Sequence, residues 1–206
     1  MIRPRTQYSY EARPGMLFYL EEFITPLNYS VQDVAVNVTD ARSAHELTPH
    51  RYVSDQKKFK VAEWFMFPFE VLHDKEGDCE DLANAEASVL IAAQIPTAVV
   101  YGTVHIDGGV YRHAWLRVEN YFVEATLEEF KRLDPAGPKV AALYRPEVEV
   151  SWGYAYPVAF PVYWAVKGIE PFSSYAYGHD AGQSSPPPEP PKVKEDEIKR
   201  LHEILE

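Results

Sequence analysis

The apolar positions along the chain change their period near its middle. Met16 to Ile24 is densely apolar and stops at Thr25-Pro26, and Val31, Val34, Ala35, Val38 and Ala41 then recur at helical spacing. Ser30 followed by Asp33 resembles a capping box with Asp in the Glu position. Ser54 is placed to cap a third helix running through Trp64, and Pro68 breaks that pattern. The first third therefore reads as helical. After a polar turn at residues 73–78 (HDKEGD) comes Cys79 to Gln94, rich in Ala, Leu and Glu and free of Gly and Pro. It predicts a strong helix with Leu82, Leu90 and the alanines facing inward, ended before Pro96. Beyond it, residues 98–106, 111–118 and 121–126 are rich in Val, Tyr and Trp and are separated by Asp107-Gly108-Gly109 and Glu119-Asn120. They predict three antiparallel strands. Residues 148–164, aromatic and punctuated by proline, predict two more short ones.

A break in composition divides residues 1–182, a single body, from a tail. Five of the 17 prolines fall within residues 186–191, so 183–191 reads as a stiff linker of extended polyproline character. Residues 192–206 follow, with nine charged side chains in fifteen, and Ile198, Leu201 and Leu205 at i, i+3, i+7 beside Ile204. The spacing predicts a short amphipathic helix, marginal in isolation at about three turns. It is either a frayed, solvated end or a docking peptide, for a protein partner or for the body.

Composition narrows the function. At 206 residues, 46% hydrophobic and 25% charged, the chain can bury a real core. Its 20 basic residues against 31 acidic ones give a net charge of −11, which disfavours a nucleic-acid binder. The acidity resides mostly in the body, because residues 183–206 carry four basic and six acidic side chains. It hints at a basic peptide as ligand. No segment has the apolar core of a signal peptide or approaches the ~20 apolar residues of a membrane span, so a cytoplasmic protein without membrane attachment is expected. His73, His105 and His113 share no ligand spacing, and neither a metal nor a cofactor is expected. One cysteine, Cys79, makes neither an internal disulfide nor a Cys-based zinc site.

That lone thiol stands at an informative place. Gly77-Asp78 forms the turn, Asp78 is the expected N-cap and Asp81 occupies the N3 position. Cys79 then opens the helix, where its N–H has no intrahelical partner and the dipole favours a thiolate. Asp78, Glu80 and Asp81 oppose this, so a cationic partner is needed. His113 is the candidate. If Glu119-Asn120 is a two-residue turn, Val118 pairs with Tyr121, Trp115 opposes Glu124 and His113 opposes Thr126. His113 and Glu124 then lie diagonally on one face, about 7 Å apart at Cα, within reach of a long side chain. A slip of one residue would send Glu124 to the other face.

These residues resemble the transglutaminase-like cysteine peptidase superfamily, distant relatives of papain. The matching parts come in the family's order: Trp64 with Pro68 and Glu70, then Gly77-Asp78-Cys79-Glu80-Asp81-Leu82-Ala83, then Gly102, His113-Ala114-Trp115 and Val123-Glu124-Ala125-Thr126, covering about residues 60–130. The resemblance implies an α+β fold of papain/transglutaminase type, with N-terminal helices and the Cys-bearing helix packed on an antiparallel sheet. It implies Cys79 as nucleophile, His113 as general base and Glu124 as the orienting acid. Chemistry would pass through a thioester on a protein or peptide amide, ending in proteolysis, deamidation or cross-linking. Glu124 stands where the family normally has Asp. Trp64, Gln56 and Trp115 are the candidates for the oxyanion hole or substrate groove. The other function considered is a non-catalytic peptide-binding or assembly module on the same fold, tethered through its Pro-rich tail.

Overall fold

A computed structural model describes residues 9–13, 16–61, 63–152, 154–157 and 190–206. In chain order the elements are strands β1 (Ser9–Arg13) and β2 (Met16–Tyr19), a 3-10 turn (Leu20–Phe23), and helices α1 (Tyr29–Ala35), α2 (Ala41–Leu47), α3 (Asp55–Lys58), α4 (Pro68–Asp74) and α5 (Cys79–Ala92). Then come β3 (Thr97–Ile106), β4 (Gly109–Val118), β5 (Tyr121–Val123), helix α6 (Pro138–Leu143), β6 (Tyr144–Ser151), β7 (Tyr154–Pro157) and helix α7 (Glu195–Leu205). The fold is α+β: N-terminal helices, then α5 packed against an antiparallel sheet of order β5-β4-β3-β6-β7. No helix among the described residues is long and apolar enough to cross a membrane.

α5 is central because it is wrapped on all sides. α1, α2 and α4 contact it away from the sheet, and β3 and β4 cover the rest. Every residue from Cys79 to Leu90 is buried, polar ones included. Alanines at 83, 85 and 87 let the neighbours approach, and the buried polar groups are paired as burial demands. Asn84 Nδ2 donates to the Tyr101 hydroxyl at 3.2 Å. Ser88 Oγ accepts the Thr25 N–H at 3.0 Å. Glu86 meets His45 of α2, with His45 Nδ1 3.1 Å from both carboxylate oxygens.

The N-terminal third departs from the expected helices. Residues 16–19 are a strand, paired with β1 through Ser9↔Tyr19 and Glu11↔Leu17, so a hairpin partner overrides the apolar run. The run from Val31 to Ala41 is two helices. Asn28 caps the first through Ser30 N–H, and Asp40 starts the second in a reciprocal box with Ser43. The helix expected from Ser54 to Trp64 stops at Lys58, and Lys60 has φ 63°. Pro68 starts α4 instead of ending an element, since a missing N–H costs nothing at the first helical position.

The strands follow expectation more closely. Asp107 (φ 48°) and Gly108 (φ 83°) form a two-residue turn with both φ positive, and Ile106 pairs with Gly109. β6 and β7 account for part of the aromatic stretch, and Tyr163 and Trp164 lie outside the described residues. So do residues 183–189 of the expected linker. α7 lies on the body, with Ile198, Leu201 and Leu205 buried. Burying three such side chains, at about 1.5–3 kcal/mol each, stabilises a helix too short to stand alone.

Candidate active site

The β4–β5 hairpin sets the first part of the site. Its register is Leu116↔Val123, Arg117↔Phe122 and Val118↔Tyr121, as expected, but β5 ends at Val123, so the expected pairings of Trp115 with Glu124 and of His113 with Thr126 do not form and Glu124 lies just beyond the strand. His113 Nε2 lies 2.9 Å from Glu124 Oε2. The same oxygen accepts the Tyr144 hydroxyl at 2.8 Å, and Oε1 accepts the Thr126 hydroxyl at 2.7 Å and its N–H at 3.3 Å. Burial alone would raise the Glu124 carboxyl, but the His113 charge and the hydrogen bonds from His113, Thr126 and Tyr144 hold it down at about 2. It is an ionised carboxylate fixed by three side chains. His113 Nδ1 is buried and has no hydrogen-bond partner among the described residues.

The Gly-Asp-Cys-Glu-Asp run supplies the second part, and each residue has a physical task. A Cβ on Gly77 would lie 2.6 Å from the Asp81 Cβ, so only glycine lets the chain turn there. Asp81 Oδ1 accepts the Met66 N–H at 2.7 Å, and its Oδ2 accepts the Asp78 N–H at 3.4 Å, tying the segment before α4 to the start of α5. Cys79 is the first residue of α5, and its thiol donates to Glu80 Oε2 at 3.2 Å. Burial pushes that thiol well above its ordinary pKa, and Glu80 and Asp78 push it further.

The cation beside this run comes from the far end of the chain. Lys192 Nζ lies 2.5 Å from Asp78 Oδ2, 3.1 Å from Glu63 Oε2 and 3.3 Å from Asp55 Oδ2, and it also contacts Glu80 Oε1. Thus Cys79 and Lys192 hold opposite oxygens of one carboxylate. Burial raises the surrounding acids, Asp55 to about 6 and Asp78 and Glu80 to about 7, with neighbouring acids adding to it and Lys192 opposing it. Asp55, Glu63 and Glu80 are close enough to share a metal ion, as are His45, His50 and Glu86. In the first group the ammonium of Lys192 is already the counter-charge.

Cys79 and His113 line one cavity of about 40 Å³, walled also by Leu20, Phe65, Tyr101 and Gly102. It has room for roughly two or three waters. The other sequence candidates stand apart from it. Trp64 donates its backbone N–H to Asp55 Oδ2 at 2.6 Å, and its ring stacks on Phe59. Gln56 is exposed on α3. Trp115 is fully buried, with its ring centroid 6.0 Å from that of His113 and 4.8 Å from that of Tyr144. Sequence reasoning missed Tyr144, Asp55, Glu63 and Lys192. Only Lys192 carried a signal, as the first cation after the proline run.

No family model matches the chain, and no curated protein matches it. Among solved structures, EGTA-treated LapG of Legionella pneumophila aligns at 19% identity and a TM-score of 0.42, covering 68% of this chain and 73% of that one. Its calcium-bound form aligns at 18% identity and a TM-score of 0.42, over 68% and 74%.

Proposed function

We propose that this chain is a cysteine-nucleophile hydrolase or acyltransferase of papain/transglutaminase type, acting on protein or peptide amide bonds. One observation carries the reading. His113 commits Nε2 to an ionised carboxylate, keeps Nδ1 without a hydrogen-bond partner among the described residues, and shares a cavity wall with the only cysteine in the chain. In this reading His113 takes the thiol proton as Cys79 Sγ attacks the amide carbonyl carbon. Negative charge gathers on the carbonyl oxygen, where the Cys79 N–H, lacking an intrahelical acceptor, can donate. The C–N bond then breaks, His113 gives the proton to the leaving amine, and a thioester remains. Water, deprotonated by His113, attacks the thioester and releases the acid and the thiol. An amine in place of water gives a new amide. Glu124 keeps the imidazole oriented and balances its charge.

A second reading, a binding module without catalysis, is favoured by the resting thiol: Cys79 is 1% exposed and its S–H is held by Glu80. Alkylation by iodoacetamide separates the two. With one cysteine, intact mass reports Cys79 directly. Catalysis predicts that His113→Ala slows alkylation at pH 7 at least tenfold and changes its pH profile. Equal rates and equal profiles in the two proteins would remove His113 as the base.

A further inference from the structure

The tail reaches the site as a strand as well as a charge. β5 pairs only with Leu116–Val118, so the earlier part of β4 lacks that neighbour. Residues 191–193 lie there, in a parallel bridge with Arg112, next to His113. The Arg112 N–H donates to the Pro191 carbonyl at 2.9 Å, and the Val193 N–H donates to the Arg112 carbonyl at 3.0 Å. The Tyr52 hydroxyl holds the Val193 carbonyl at 2.6 Å. Main-chain bonds of this kind accept any extended peptide, and choice among peptides falls to the pockets that receive side chains.

Here one pocket receives one side chain. Asp55, Glu63, Asp78 and Glu80 surround Lys192 Nζ, and Asp55 Oδ1 is buried with no hydrogen-bond partner among the described residues. Four carboxylates around a single nitrogen suit a compact ammonium. The acids also keep Lys192 protonated: burial would lower it, and Asp78, Glu80, Glu63 and Asp55 raise it well above its ordinary value. A charged ammonium is a group to be recognised and is no nucleophile.

We propose that the pocket formed by Asp55, Glu63, Asp78 and Glu80 is a recognition subsite for a lysine side chain of an extended peptide, and that residues 191–193 are its internal occupant. The inference rests on the reading of Cys79 and His113 as the reacting centre, and it gives that centre a substrate class: lysine-bearing peptide segments laid along the edge of β4. While Lys192 is seated the cavity beside Cys79 is about 40 Å³, too small for a peptide. Substrate therefore enters by displacing the tail.

Two measurements test this. In the full chain, Lys192→Ala removes a cation that lowers the Cys79 pKa. A purely electrostatic role for Lys192 thus predicts slower alkylation, whereas an occluding role predicts alkylation at least tenfold faster. Slower or unchanged alkylation overturns the occupancy. Binding tests the subsite without turnover. In Cys79→Ala chains, anisotropy follows a labelled peptide of sequence EPPKVKE and its EPPQVKE counterpart, titrated with protein carrying Lys192→Ala or, should that variant fold poorly, Lys192→Met. The lysine peptide is expected to bind at least tenfold tighter than the glutamine one, and Glu63→Gln to narrow the gap. Equal affinities, or no binding of either, overturn the subsite. A lysine preference without His113-dependent alkylation keeps the subsite and removes the amide chemistry. His113-dependent alkylation without a lysine preference does the reverse.

Discussion

His113 Nε2 and Glu124 Oε2 lie 2.9 Å apart with no exposed side-chain surface on either partner. A buried carboxylate with a pKa held down at about 2 against an ordinary 4.5 makes stability depend on pH. Its folded pKa is below its unfolded one. The contribution is therefore complete above pH ~4.5 and is lost as pH falls through about 2. The difference corresponds to about 3 kcal/mol. Glu124→Gln should destabilise the chain by roughly that amount at pH 7 in urea unfolding, and the gap from the parent should close between pH ~4.5 and 2. A gap that stays constant over that range would mean that the carboxylate is not ionised in the fold.

The His45–Glu86 pair between α2 and α5 gives dependence of the opposite sense. Burial opposes the charged imidazole, but Glu86 outweighs it and the His45 pKa is raised. Its stabilisation is complete below the unfolded pKa, ~6.5, and is lost as pH rises through the folded one. Glu86→Gln should cost about 3 kcal/mol near pH 6, since it leaves His45 without its partner in the core. The cost should shrink on the alkaline side. Thermal unfolding of both proteins from pH 5.5 to 9 measures it.

Gly102 is fixed by its neighbours in the sheet. A Cβ there would collide with the Arg145 carbonyl oxygen and lie 2.9 Å from Trp115 Cη2, at the irregularity where β3 and β6 shift register. Gly102→Ala should cost about 3 kcal/mol by overpacking. The displaced Trp115 lies against His113, so alkylation of Cys79 should also lose part of its dependence on His113. A melting temperature within a degree of the parent would show that the sheet yields at this point.

Docking of α7 should weaken in acid. His202 Nε2 lies 3.0 Å from Thr126 Oγ1, the hydroxyl that donates to Glu124, so the tail helix touches the far end of the same hydrogen-bonded chain. Burial lowers the His202 pKa, with Glu124 opposing it and His113 adding to it. A depressed histidine stabilises the docked state above the unfolded pKa of ~6.5, and that is lost as pH falls through its folded pKa. Amide exchange across Glu195–Leu205, corrected for intrinsic rates, should be faster at pH 5.5 than at 7.5. His202→Gln should reduce the difference without abolishing it, because Asp55, Asp78 and Glu80 around Lys192 also titrate near pH 6–7. Protection independent of pH would place His202 outside the docking energetics.

What was legible in the sequence was local. A Gly- and Pro-free run opening at Asp78-Cys79 specified α5, and two short polar turns specified the hairpins. The turn at Glu119-Asn120 also set the register of β5, which ends one residue before Glu124 and so leaves that carboxylate beside His113. From just beyond the end of β5 the long arm of Glu124 reaches His113, Thr126 and Tyr144 together. The strand at residues 16–19 and the proline that starts α4 were not legible, since each depends on what packs beside it. Lys192 belongs with these. It is 112 residues from Glu80, and nothing in the periodicity of either segment refers to the other. Turns, caps and alternation are short-range steric and hydrogen-bonding effects, and a sequence displays them directly. A half-buried cation among four acids exists only once the body has brought those carboxylates together and reduced their access to the water that would otherwise screen them.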